Sequence, residues 1–299
     1  MKQSALMGLM AAVVISIGLL CAASDGGSQS GTKDAGPSTA ALPDGGSSKP
    51  TPQCGPSPTG KGGPMCLVLA GPFMMGCNTA VDTECERNET PFHKVDVPAY
   101  RIDKYEVPTA EYKQCVTAGR CTDASMENPP IYGCNYDVPG KEKHPINCVN
   151  WEQAKAFCVW VGKRLPTEAE WEKAARGMDG RKYSWGDTSL DCDHAVWNST
   201  TCGKLGTAPI GSKPLGTSPF GALDMIGNVT ELVEDGYHRT YIGAPSDGSA
   251  WGTDISSFSV SRGGAWGATS MALRSSHRHY GDRKYRDAYI GFRCALSVP

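Results

Sequence analysis

Arg164-Leu-Pro-Thr-Glu-Ala-Glu-Trp-Glu-Lys-Ala-Ala-Arg-Gly177 reads as a complete short helix with its own start and stop signals. Thr167 is placed to cap the first turn, and Glu170, three residues on, to return the bond in a capping box. Pro166, just before the cap, can pack on Trp171 as a hydrophobic staple. Glu168 and Glu170 fall in the first turn, Lys173 and Arg176 in the last, so each sign sits where the helix dipole favours it. Gly177 suits the left-handed position that ends a helix.

Upstream, Asn150 starts a second helix, with Gln153 at the box position. Trp151, Ala154, Phe157, Cys158 and Val161 recur at three- and four-residue spacing and predict one buried stripe, closed by Gly162. Two adjacent capped helices with aromatic faces are expected to pack together, with Trp151, Trp160 and Trp171 near the core. Earlier still, Thr109 is expected to cap a helix over Ala110 to Ala118, ended by Gly119. Leu67 to Gly76 predicts two short strands around Gly71-Pro72, and the alternation of His93 to Val97 a third, continuing through Tyr100 and Ile102.

Downstream the pattern changes. Between Asp179 and Ser261 no long amphipathic helix is predicted, and Gly, Pro, Ser, Thr and Asp dominate. Trp185, Trp197 and Trp251, with the closely spaced Cys192 and Cys202, argue that this stretch is ordered but irregular. Ser259 to Trp266 and Ile290 to Leu296 predict the last strands. The 36 glycines and 21 prolines among 299 residues suit such a loop-rich fold better than a helical bundle. A net charge of −2 gives no footing for nucleic acid.

Residues 1–20 carry Lys2 and then an apolar run from Leu6 to Leu20, the pattern of a signal peptide. The run ends Gly18-Leu-Leu-Cys21, which resembles a bacterial lipoprotein signal with Cys21 as the lipidated residue. Leu20 stands where a small residue is usual, and an ordinary secretory signal cut at Ala22 or Ala23 is the competing reading. Residues 21–53, rich in Ser, Gly and Pro, predict a flexible tether, and 54–299 the folded domain. The expected location is the bacterial cell envelope, as an outer-membrane lipoprotein on its lipid anchor, or secreted if Cys21 is not lipidated. Beyond Cys21 twelve cysteines remain, an even number in an exported chain, for which disulfides are the default. None has a C-x-x-C zinc spacing.

Nine short blocks then fall into one order. They are Gly71-Pro-Phe-Met-Met-Gly76, Glu89-Thr-Pro-Phe-His-Lys-Val95, Asp103-Lys-Tyr-Glu-Val107, His144-Pro-Ile-Asn-Cys-Val-Asn-Trp151, Arg164-Leu-Pro-Thr-Glu-Ala-Glu-Trp171, Tyr183-Ser-Trp-Gly-Asp187, Phe220-Gly-Ala-Leu-Asp-Met-Ile-Gly-Asn-Val229, Arg262-Gly-Gly-Ala-Trp266 and Gly291-Phe-Arg-Cys294. Together they resemble the formylglycine-generating enzyme (sulfatase-modifying factor) family over about residues 65 to 299. The resemblance implies a single irregular α/β (α+β) domain, a variant of the C-type lectin fold with little regular secondary structure.

Catalytic members of that family oxidise a substrate cysteine to formylglycine with copper and oxygen. They hold copper on a closely spaced cysteine pair soon after the Arg-Gly-Gly block, soft thiolates being what Cu(I) prefers. Here that region, Arg262 to Arg278, contains no cysteine, and none occurs between Cys202 and Cys294. No copper is expected, and formylglycine generation is disfavoured. His277 and His279, flanking Arg278, would face the same way on a strand. They read either as a copper or iron site or as part of a solvated basic loop with Arg283, Lys284 and Arg286.

The resemblance also implies calcium at Asp224-Met-Ile-Gly-Asn-Val-Thr-Glu231. Asp224 and Glu231 would offer side chains and Gly227 and Val229 carbonyls, the hard oxygen donors Ca²⁺ takes. The competing reading is that Asp224, Asn228 and Glu231 satisfy turn amides. Thr230 and Leu232 stand where the family has tryptophans. A bridge from Cys158 to Cys294 is likewise implied by the family. The other ten cysteines are paired by proximity: Cys54 with Cys66, Cys77 with Cys85, Cys115 with Cys121, Cys134 with Cys148, Cys192 with Cys202. The functional expectation is a binding or structural envelope protein with an unknown ligand or envelope partner. The alternative is an enzyme of different, metal-dependent oxidative chemistry on the same fold.

Overall fold

The computed structural model describes residues 51–125, 133–198, 202, 205–252 and 257–299. The signal peptide, Cys21 and nearly all of the tether lie outside the described residues. Three helices carry the sequence signals most directly. Helix α1 spans Thr109–Thr117, α2 Trp151–Trp160 and α3 Glu168–Arg176. In α2 and α3 both arms of the capping box are formed, on Asn150 with Gln153 and on Thr167 with Glu170. Gly177 closes α3 at φ 73°. In α1 the cap falls one residue earlier than expected, on Pro108, and Thr109 is the first helical residue. Its hydroxyl is spent on the His144 carbonyl instead.

The strands form three sheets. Strand β1 (Cys54–Gly55), β2 (Met65–Val68), β5 (Tyr100–Asp103) and β10 (Ala295–Ser297) lie in the order β1-β2-β5-β10. A separate hairpin pairs β3 (Gly71–Met75) with β4 (His93–Val97). The third sheet runs β8-β7-β6-β9, from β6 (Thr230–Gly236), β7 (Phe258–Arg262), β8 (Arg278–Asp282) and β9 (Ile290–Gly291). Two expectations need correcting. The strand at His93 does not continue to Ile102, because Pro98 and Ala99 break it and β5 joins another sheet. The break near Gly71-Pro72 falls just before them, and both residues begin β3.

Strand β6, inside the stretch expected to be irregular, explains a third difference. Its adjacent residues Leu232 and Val233 belong to different hydrophobic clusters. Val233 joins Trp171, Ala174, Phe73 and Tyr100 of the α3 cluster. Leu232 joins Trp151, Phe157, Tyr112 and Phe292 of the α1 and α2 cluster. The two-residue period of a strand sends neighbours to opposite faces, so β6 divides the interior. Helices α2 and α3 therefore serve separate cores and do not form the joint aromatic pack expected. Trp160 is only partly buried and tilts against Phe157.

Six disulfides join Cys54–Cys66, Cys77–Cys85, Cys115–Cys121, Cys134–Cys148, Cys158–Cys294 and Cys192–Cys202. Five close short loops, whereas Cys158–Cys294 spans 136 residues and ties α2 to the segment before β10.

Candidate functional site

Every residue of α3 is buried, including Glu168, Glu172, Lys173 and Arg176. Buried charges persist only when paired or fully hydrogen-bonded; Glu168, Glu172 and Arg176 are ion-paired, and Lys173 is held by backbone carbonyls alone. Arg278 forks onto Glu168 at 2.6 and 2.8 Å. Burial alone would raise the Glu168 pKa, but Arg278 and Arg262 hold it below the ordinary carboxylate value. Glu172 accepts from Arg176, Arg262 and the Gly76 amide. Lys173 donates to the carbonyls of Leu69 and Gly71. The dipole-favoured signs of the sequence are thus also the anchors of a buried ionic lattice.

That lattice positions a cleft. Arg262 donates to the carbonyls of Ser275, Ser276 and His277. Arg274 is clamped between Glu89, at 2.6 Å, and Asp82, at 2.9 Å. The chain from Arg274 to Arg278 is therefore pinned by its backbone and its arginines. Arg278 is not part of a solvated basic loop, because it is buried and starts β8; Arg283, Lys284 and Arg286 do lie in the loop after that strand, with Lys284 exposed. His277 and His279, on either side of it, line a cavity of about 470 Å³ with Thr230, Tyr285, Asp287 and Tyr289. Gly267 also lines it, and a side chain there would collide with the Tyr289 ring.

His277 is the distinctive group. Its Nδ1 is buried with no hydrogen-bond partner. Burial, then Arg274 and Arg262, push its pKa down to about 3, so the ring is neutral. A neutral imidazole with an unused nitrogen can accept from or donate to a ligand, or bind a metal. The third wall was missed in the sequence. Tyr285, Asp287 and Tyr289 recur at a two-residue period, the signal that would have grouped them.

The residues of the calcium expectation lie elsewhere, around Arg293. Both Glu231 oxygens accept from Arg293 at 2.6 Å, and one also accepts from Trp171. Asp224 accepts from the Gly211 amide, and burial raises its pKa to about 6. Buried Glu106, which the sequence reading overlooked, accepts from Asn228 and from the Val229 amide. Glu106, Asp224 and Glu231 thus share the field of one guanidinium, Arg293. A hard cation would suit this carboxylate surplus, with Glu231 keeping one of its roughly four acceptor directions free. Among the described residues, the one close grouping of three carboxylate, thiol or imidazole ligands is Cys77, Cys85 and Glu89. There the two sulfurs are already spent on each other.

A mixed domain of short strands and three short helices, locked by buried arginines around a shallow cleft, defines a variant of the C-type lectin fold. Residues 50–298 match the sulfatase-modifying factor enzyme 1-like domain, and the chain belongs to that family. It is 31% identical over 274 residues to a hercynine oxygenase of Mycolicibacterium thermoresistibile, covering 80% of this chain and 60% of that protein. It is 30% identical over 258 residues to the formylglycine-generating enzyme of Streptomyces coelicolor, covering 69% of this chain and 81% of that enzyme. Among solved structures, PvdO from Pseudomonas aeruginosa superposes with a TM-score of 0.70 at 30% identity, covering 79% of this chain and 95% of that one. The chain thus spans less than two thirds of the hercynine oxygenase it matches.

Proposed function

We propose that this is an extracytoplasmic ligand-binding member of the family that does not generate formylglycine. One observation carries the proposal: the cleft is lined by the His277 imidazole with Tyr285, Asp287 and Tyr289, and its wall from Arg262 to Arg278 has no thiol to hold Cu(I). Export is supported by twelve cysteines closed into six bridges, the pattern of an oxidising compartment. The lipid anchor at Cys21 rests on the Leu-Leu-Cys signal. Calcium at Asp224, Gly227, Val229 and Glu231 rests on the family and on the carboxylate surplus around Arg293. A bound ion there would supply charge balance and rigidity.

The second reading is an oxidative enzyme of other chemistry. The unpartnered Nδ1 of His277 beside His279 favours it, as do relatives named hercynine oxygenase and formylglycine-generating enzyme. One experiment separates the two. The purified protein is incubated with Cu(I), Fe(II) and Ca²⁺, desalted, and its metal content measured by mass spectrometry. Calcium alone supports the binding protein. Tight copper or iron that is lost in His277→Ala with His279→Ala overturns it in favour of the enzyme. Aldehyde formation on a cysteine-containing sulfatase peptide would overturn the exclusion of formylglycine chemistry itself.

A further inference from the structure

A second cavity, of about 490 Å³, shares no lining residue with the cleft. Its polar lining comes from Lys141, His144, Trp197, Thr207 and Lys213, and among the described residues no aspartate or glutamate lines it. The volume is that of a small-molecule site.

Its polar groups are biased toward donors. The Lys141 ammonium lies 3.2 Å from His144 Nδ1. An ammonium only donates, so Nδ1 accepts and the neutral ring keeps its proton on Nε2. Burial, then Lys141, lower the His144 pKa, which keeps the ring neutral. Thr207 also meets Nδ1, at 2.9 Å, and its hydroxyl is shared with Asn135. Lys213 donates to the Cys192 carbonyl, which uses one of its three protons. Asp224, the carboxylate that senses Lys213, is itself buried and holds the Gly211 amide.

Trp197 is the independent observation. Its ring lines the cavity, and its indole Nε1 is buried with no acceptor among the described residues. An indole N–H can do nothing except donate, and a buried donor left unpaired is costly. Val196, Leu205 and Pro209 add apolar wall to the same cavity. Two lysines on an apolar wall are complementary to an anion that carries an apolar body.

We propose that this cavity binds a small organic carboxylate, its charge held by Lys141 and Lys213, its body against Val196, Leu205, Pro209 and the Trp197 ring. Nothing in the reading of the His277 cleft is needed for it.

The test uses ¹⁵N-labelled full chain, with the Trp197 indole signal assigned from Trp197→Phe. Benzoate is titrated, with benzylamine and inorganic phosphate as parallel probes. Benzoate is expected to move the Trp197 indole signal saturably, and benzylamine to leave it in place. Lys141→Met with Lys213→Met should weaken benzoate roughly tenfold or more, since charge-assisted bonds are lost. If that double variant does not fold, Trp197→Phe alone, read by calorimetry, should weaken benzoate. No saturable shift with benzoate overturns the proposal, as does equal binding of benzylamine. Wild-type affinity in a folded double variant also overturns it. Phosphate binding without benzoate binding replaces the organic carboxylate with an inorganic anion.

Discussion

The two sides of the segment His277-Arg278-His279 spend their polar groups in opposite ways. Toward α3, Arg278 is saturated: it forks onto Glu168, donates to the carbonyls of Asn88 and His238, and stacks on Tyr241 at 4.3 Å. Toward the cleft, His277 keeps a buried nitrogen unpartnered, and His279, Tyr285 and Tyr289 stand exposed. Native interiors leave few buried polar groups unpaired; in the α3 lattice the Nε atoms of Arg176 and Arg262 are unpaired but the ends of both guanidinium groups are bonded, whereas His277 lines an open cavity. The saturated side holds the fold, and the unsaturated side is where a ligand can act.

Variants can break this contrast. The largest effect is expected on the covalent frame that both sides lean on. Cys158→Ser with Cys294→Ser opens a 136-residue loop and should cost about 5 kcal/mol in the chain-entropy treatment, read by guanidinium denaturation. Next comes the saturated side. Arg278→Met strands Glu168 in the interior and should cost about 3–5 kcal/mol by the same measurement. A loss under about 1 kcal/mol would mean that Glu168 finds enough in Arg262 and Tyr241, and the contrast would fail.

A smaller effect is expected at the α3 cap. Thr167→Ala removes one arm of the box and should cost about 1 kcal/mol, with the thermal midpoint falling by a few degrees. The smallest effect at neutral pH belongs to the cleft. His277 has a folded pKa near 3, against an ordinary 6.5. Below about 6.5 the unfolded chain takes a proton that the folded protein refuses. Stability from this group is therefore whole above that value and falls as pH drops toward about 3. His277→Gln should flatten the slope between about pH 7 and 5, above most carboxylate titrations. An unchanged slope would place His277 in a wetter setting than its neighbours Arg274 and Arg262 imply.

The same contrast explains what was legible in the sequence. The caps of α2 and α3 were, because a capping box is a local bargain among residues three apart. The burial of Glu168, Glu172 and Arg176 was not, since alternating charges on a short helix look alike whether their partners are water or distant arginines. Arg262 and Arg278 come about 90 and 110 residues later. Strand β6 was hidden for a related reason. Thr230-Glu-Leu-Val-Glu-Asp-Gly236 carries three acids and lacks strand alternation. Glu231 is neutralised by Arg293, and Asp235 accepts from the amides of Glu168 and Trp251. Those partners turn an apparently solvated stretch into the wall between two cores. At the candidate site, His277 and His279 were found by their spacing; Tyr285, Asp287 and Tyr289 share a two-residue period, but only the fold brings them to the histidines.

The spans of the six bridges also set a timetable. Five of them join cysteines 6 to 14 residues apart. On a chain emerging from its N-terminal side, those partners meet almost as soon as they are made. Cys158 must wait 136 residues for Cys294, while Cys192 and Cys202 pass it first. It is the thiol longest at risk of choosing the wrong partner. Production without a disulfide isomerase should therefore trap molecules whose four short bridges before Cys158 are correct and whose Cys158 is joined to Cys192 or Cys202.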